Sequence, residues 1–156
     1  MNTIAVRQAT LADIEPVAVL FDAYRQFYER SPDLPLATNY VRARLANRES
    51  VILVASDSAG RIVGFCQLYP TFCSVEAAPI FTLYDLYVAP ASRRAGAARA
   101  LLEAAEQLAA DNGKVRMDLM TARTNLPAQA LYEALGWVRD TRFHTYNRHI
   151  RRAPAS

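Results

Sequence analysis

Lysine is nearly absent: Lys114 is the only one in a chain of 156 residues whose net charge is +3. Its cationic surface is therefore arginine, which binds carboxylates and phosphates through a planar fork and keeps its charge at any working pH. An excess this small is too weak to argue for nucleic acid as the partner. An alanine-rich, arginine-rich chain also suits a GC-rich bacterial coding sequence. Cysteine is scarce too. Cys66 and Cys73 are too few for a disulfide framework, so a reducing, cytoplasmic setting is expected. With His144 and His149 they make four nominal metal ligands, but a gap of seven between the cysteines does not fit structural zinc, and no metal is expected. No apolar run approaches the length of a membrane span, and Val51–Ala55 is typical of those present. The first residues carry no basic stretch leading into an apolar one, so secretion is not indicated.

What is present is ordinary globular composition, with 52 % hydrophobic and 21 % charged residues. The length suits one domain, expected over residues 1–150, with a flexible tail at 151–156. Val6–Ala9 reads as a short strand. Thr10, with Asp13 three residues on, reads as a helix N-cap. Ile14, Val17, Phe21, Tyr24 and Tyr28 then follow the spacing of one buried helical face, predicting a helix to about Arg30. A second helix is expected over Leu36–Asn47. Val51–Ala55 and Arg61–Tyr69 read as a hairpin around Asp57–Gly60, Pro70–Pro79 as a loop or frayed strand, and Phe81–Val88 as a strand. A long helix is expected over Arg94–Asn112 with Gly113 closing it. Val115, Met117 and Leu119 alternate as a strand. Pro127–Leu135 reads as a helix closed by Gly136, and Trp137–Ile150 as a last strand. The order β-α-α-β-β-β-α-β-α-β predicts an α/β domain with a mixed sheet.

Two segments carry the chemistry. In the first, the strand residues Leu86, Tyr87 and Val88 run through Pro90 into Arg93-Arg94-Ala95-Gly96-Ala97-Ala98-Arg99 at a helix start. Small residues let a ligand approach the backbone, and free N–H groups at a helix start bind phosphate oxygens. Arg93, Arg94 and Arg99 add charge-assisted contacts. No Gly-Lys-Ser/Thr follows, and one glycine stands where a dinucleotide fingerprint needs three. In the second segment, Asn125 sits at an N-cap, Gly136 at the helix stop, and Tyr132 in mid-helix. A phenol at that position is either a core aromatic or a proton donor to a leaving group such as a thiolate.

Together these segments resemble the GCN5-related N-acetyltransferase (GNAT) superfamily. Its pattern is an Arg/Gln-x-x-Gly-x-Gly/Ala loop after a strand, then an Asn-x-x-Ala-x-x-Leu-Tyr-x-x-x-Gly-Phe/Trp block. The loop falls on residues 93–98, and the block runs from Asn125 to Trp137. One departure is Ala98, where many members have glycine. The resemblance implies a mixed, mostly antiparallel central sheet with helices on both faces. It implies acetyl-CoA as cosubstrate, with its pantetheine on the strand of Leu86, Tyr87 and Val88. Its pyrophosphate would lie on Arg93, Arg94, Gly96, Ala97, Ala98 and Arg99, and Asn125 and Tyr132 complete the cofactor site. Asp85-Leu86-Tyr87-Val88 also looks like the branch that acetylates polyamines, histone tails or free amino acids. In this superfamily two copies can pair through the last strand as a homodimer.

The implied reaction is attack of a neutral primary amine of a small molecule or peptide on the thioester within a ternary complex. Tyr132 would protonate the thiolate, and a strand N–H would hold the oxyanion. Polyamine-type relatives often have a glutamate where this chain has Tyr84. Asp85 is then the first candidate base, since a carboxylate in a central strand is costly unless paired. Glu76 is the second. Tyr24, Tyr28 and Phe27 are candidates to line the amine site by cation–π contact, with Asp22 and Glu29 to hold a cation. The competing expectation is a domain of the same fold that binds acyl-CoA without turnover. Neither nucleic acid nor membrane is expected as a partner.

Overall fold

A computed structural model describes residues 3–154. Met1, Asn2, Ala155 and Ser156, including the end of the expected tail, lie outside the described residues. Two compact units divide the chain, Met1–Met120 and Thr121–Ser156.

The first unit is built on a five-stranded sheet: β1 (Ala5–Gln8), β2 (Val51–Ser56), β3 (Ile62–Cys73), β4 (Ala78–Val88) and β5 (Met117–Leu119), in that spatial order. All neighbours are antiparallel except β4 and β5. Side chains alternate across a strand, so each strand contributes to two faces. Ile52, Val54 and Phe65 pack with α1 (Ile14–Phe27) and α2 (Leu34–Ala46) through Val17, Phe21, Ala37 and Val41. The opposite face carries α3 (Ala97–Asp111), whose Leu101 and Leu102 are buried. Gly64 makes this close approach possible. A Cβ there would meet the Tyr87 carbonyl oxygen and Val88 Cγ2 at 3.1 Å and Leu101 Cδ1 at 3.5 Å.

Local chemistry sets the helix ends. Thr10 is the expected N-cap, and with Asp13 it forms a capping box around a 3-10 turn at Leu11–Asp13 that leads into α1. Arg7 clamps the Asp13 carboxylate with two bonds of 2.7 and 2.9 Å, which holds that carboxyl down at about 2. The expected C-terminal glycine Gly113 closes α3, with Lys114 N–H returning to Ala109 O at 2.9 Å. The first two helices end the same way without glycine. Glu29 (φ 62°) and Arg48 (φ 53°) take left-handed backbone, with Arg30 N–H bonded to Arg25 O and Glu49 N–H to Arg44 O, both at 3.0 Å. Hence α1 stops at Phe27 rather than Arg30. Of the loop or frayed strand expected at Pro70–Pro79, the structure has mostly strand, since β3 runs to Cys73 and β4 starts at Ala78.

In the second unit, α4 (Leu126–Ala134) is capped by Asn125, whose side chain accepts from Ala128 N–H at 3.3 Å. Gly136 follows, and Trp137 N–H closes on Tyr132 O at 3.0 Å. The last strand expected over Trp137–Ile150 is not formed, and Val138, Phe143, Tyr146 and Ile150 are exposed. A strand exists only through pairing, and among the described residues of this unit no other strand is formed.

Candidate active site

The site of the first unit begins with an irregularity in the sheet. Gln67 of β3 faces Asp85, whereas the next residue, Leu68, faces Leu83, so Tyr84 is an extra residue in β4. Such a bulge re-aims the side chains beside it. Leu83 and Asp85 are both buried, and Tyr84 between them is exposed. The bulge thus drives a carboxylate into the interior, 5 % exposed, on the face covered by α1.

Asp85 is held by a buried relay. Ser50 Oγ donates to Gln67 Oε1 at 2.7 Å, and Gln67 Nε2 donates to Asp85 Oδ2 at 2.7 Å. The serine bond fixes the amide so that its N–H faces the carboxylate. Burial pushes the Asp85 carboxyl above the usual carboxylate range, while Gln67 and the Tyr24 hydroxyl pull it back. The same hydroxyl, with one proton to give, also lies 3.3 Å from the Tyr84 carbonyl, which holds α1 to the bulge. Its phenol is raised by burial and then by the charge of Asp85.

Above Asp85 lies a pocket of about 260 Å³. Its walls are aromatic, with Phe21, Tyr24 and Tyr28 from α1, Tyr40 from α2, and Tyr69 and Tyr84 from the sheet. Tyr40 and Tyr69 share a hydroxyl hydrogen bond, and Tyr24 and Tyr28 meet edge to face at 5.1 Å. Arg25 and Arg30 complete the lining.

Beyond the bulge, β4 loses its outer neighbour. It pairs with β5 only over Phe81, Thr82 and Leu83, although it continues to Val88. Along Tyr84–Val88 the strand therefore presents a backbone edge with no β5 partner. A 3-10 turn at Pro90–Ser92 and a left-handed pair, Arg94 (φ 68°) and Gly96 (φ 84°), then lead into α3. No side chain caps α3, and its first internal bond is Ala100 N–H to Gly96 O at 3.0 Å. The N–H groups of Ala97, Ala98 and Arg99 thus have no acceptor within the helix. Nothing lies within 4 Å of where a Gly96 Cβ would stand. This uncapped helix start fits an anionic group such as a pyrophosphate. Of the arginines expected there, Arg93 bonds Val88 O at 3.0 Å and lies over the Tyr87 ring. Arg99 pairs with Glu103 at 3.0 Å, and Arg94 is exposed. In the second unit, Tyr132 is partly buried on α4 with its ring 6.2 Å from that of Trp137.

Residues 17–137 match the Acetyltransferase (GNAT) family. That span is most of the chain and includes residues of both units. The chain belongs to the GNAT acetyltransferase family. It is 45 % identical over 141 residues to the uncharacterized N-acetyltransferase YhfO of Bacillus subtilis (strain 168), covering 90 % of this chain and 94 % of that protein. The crystal structure of a probable acetyltransferase superposes with a TM-score of 0.88 at 37 % identity, over 96 % of this chain and 99 % of that one. An aminoglycoside N-acetyltransferase in complex with CoA shares the fold, with a TM-score of 0.79 at 18 % identity over 96 % and 97 % of the two chains.

In this GNAT acetyltransferase, Asp85, Tyr24 and Tyr28 line one pocket. Several other expected residues do not. Phe27 is exposed and packs on Tyr28, outside the lining. The Asp22 carboxylate accepts from Gln26 Nε2 and from Asp33 N–H, so it holds the turn after α1 rather than a substrate. Glu29 is the left-handed residue of that turn. Glu76 is exposed at the β3–β4 turn and paired with Arg116 at 3.5 Å. Reading the sequence alone missed Ser50, Gln67, Tyr40 and Tyr69. Gln67 had a signal, being a polar residue inside the apolar run Val63–Leu68. Among the described residues no cluster of His, Cys, Asp and Glu could hold a metal ion, and no helix is long and apolar enough to cross a membrane. Cys66 is fully buried, and burial pushes its thiol up to about 12.

Proposed function

We propose that this chain is an acetyl-CoA-dependent N-acetyltransferase that acetylates a primary amine by direct attack within a ternary complex. The observation that carries the reading is a buried carboxylate at a strand bulge, between an aromatic pocket and a strand edge without a partner. Acetyl-CoA supplies the activated acyl group as a thioester. The open edge along Leu86, Tyr87 and Val88 offers N–H and C=O groups to the amides of its pantetheine arm. The start of α3, at Gly96, Ala97, Ala98 and Arg99, holds its pyrophosphate, and Arg94 adds charge.

An amine enters mostly as its ammonium ion at neutral pH and must lose a proton before it attacks. Asp85 accepts that proton. Its raised basicity suits the task, because a carboxylate with an ordinary pKa is a weak base at pH 7. The relay of Ser50 and Gln67 keeps the carboxylate oriented. Tyr132, the tyrosine of the GNAT block, gives a proton to the departing thiolate. Residues 1–150 form one acetyltransferase domain in this reading, consistent with a family match that includes both units.

The test is thiol release from acetyl-CoA with and without a panel of primary amines, run beside Tyr132→Phe. Amine-dependent release that falls in the variant supports the reading. Release that no amine raises overturns it.

A further inference from the structure

The pocket holds more positive charge than a site for an ordinary cationic amine needs. Five arginines of the first unit are paired with carboxylates: Arg7, Arg44, Arg61, Arg99 and Arg116. Arg25 and Arg30 line the pocket, and neither forms an ion pair among the described residues. The Nη1 of Arg25 is buried without a hydrogen-bond partner. A buried charged donor left in this state is costly and rare in folded proteins. The backbone brings the two arginines together. Arg30 N–H bonds to Arg25 O at 3.0 Å across the left-handed Glu29, a conformation that costs a non-glycine residue free energy.

Among the described residues no carboxylate answers these two charges. Of these residues Asp85 is the one acidic side chain lining the pocket, and Gln67 already bonds it. Asp22, on the same helix, faces Gln26 and the Asp33 backbone. A polyamine or an aminoglycoside would bring several ammonium groups to a pocket with two guanidiniums and a single buried acid. Repulsion would oppose it. The volume, about 260 Å³, lies below the usual range for drug-sized ligands and suits a compact molecule against tyrosine walls.

We infer that the acceptor is an amine that also carries a carboxylate, of the size of a single free amino acid. Its carboxylate lies on Arg25 and Arg30, and its amino group is turned toward Asp85. This rests on the acetyltransferase reading above.

The test compares L-phenylalanine, L-methionine and L-threonine, each with its carboxamide and its decarboxylated amine, by thiol release from acetyl-CoA. The carboxamides have the less basic amino group, which favours them chemically, so a preference for the acid reports recognition. The expected kcat/KM is about tenfold or more higher for the acid than for either partner. Arg25→Gln and Arg30→Gln each bring that ratio toward one. Arg30 is exposed, so its replacement tests recognition without threatening the fold. If carboxamides or decarboxylated amines turn over as fast as the acids, the inference is overturned while the acetyltransferase reading stands. If no compound turns over, calorimetric titration of L-phenylalanine and its carboxamide into the full chain decides the inference, and the wider amine panel decides the acetyltransferase reading. Tighter binding of the acid, lost in Arg25→Gln, supports it; equal or no binding overturns it.

Discussion

In the proposed mechanism, Asp85 is where stability and function oppose each other most directly. Its folded-state carboxyl is raised above the unfolded value, chiefly by burial. Its contribution to stability is therefore complete below the unfolded pKa, about 3.9, and is lost as pH rises through the folded value. Asp85→Asn removes that loss and keeps an oxygen for Gln67 Nε2, so its Tm at pH 7 should exceed that of the parent in thermal unfolding. Gln67→Leu acts on the same group in the other direction. Without the Gln67 bond, which lowers the carboxyl, the acid limb of kcat/KM against pH should move to higher pH. An unmoved limb would separate Asp85 from the proton transfer. Asp85 stood out in the sequence because a carboxylate in a central strand needs a reason. Gln67 and Ser50 became its partners only through strand register, since Gln67 lies opposite Asp85 from 18 residues away in sequence.

At the scale of elements, helix termini account for most of what the sequence showed well and what it hid. Thr10 with Asp13, Asn125, Gly113 and Gly136 all mark ends by side-chain chemistry or by glycine, and the structure has ends at each. The end of α1 was hidden because Glu29, not glycine, takes the left-handed position, while Tyr28 continues the apolar spacing. Replacing Glu29 by glycine relieves that conformation. Glu29→Gly should raise stability by about 0.5–1 kcal/mol in urea unfolding, and a fall would contradict the strain assigned there. The bulge at Tyr84 was equally invisible, because an extra residue in one strand shows only against its partner. The last strand was over-read. Residues 137–150 carry apolar side chains, but the described residues of the second unit form no strand for them to pair with.

At the scale of the whole molecule, element order and two distant motifs were enough to reach the fold, because the GNAT pattern ties one loop and one helix to set places in it. The sheet opens beyond Leu83, and that free edge of β4 is where the proposed acetyl-CoA would bind. Binding there is linked to folding. Acetyl-CoA at 100-fold above its Kd should add about 2.7 kcal/mol of stability, visible as a rise in Tm. Gly96→Val places a branched side chain at a φ of 84° and should abolish that rise, while lowering the Tm of the free protein only modestly. The central claim is that this acetyltransferase moves an acetyl group to an amine deprotonated by Asp85. One measurement tests it most directly: the rate of amine-dependent thiol release from acetyl-CoA by the parent and by Asp85→Asn, with acetyl-CoA stabilising both. The account predicts release by the parent and a fall of about 100-fold or more in the variant. Equal rates in the two proteins, or no amine-dependent release by the parent, would contradict it.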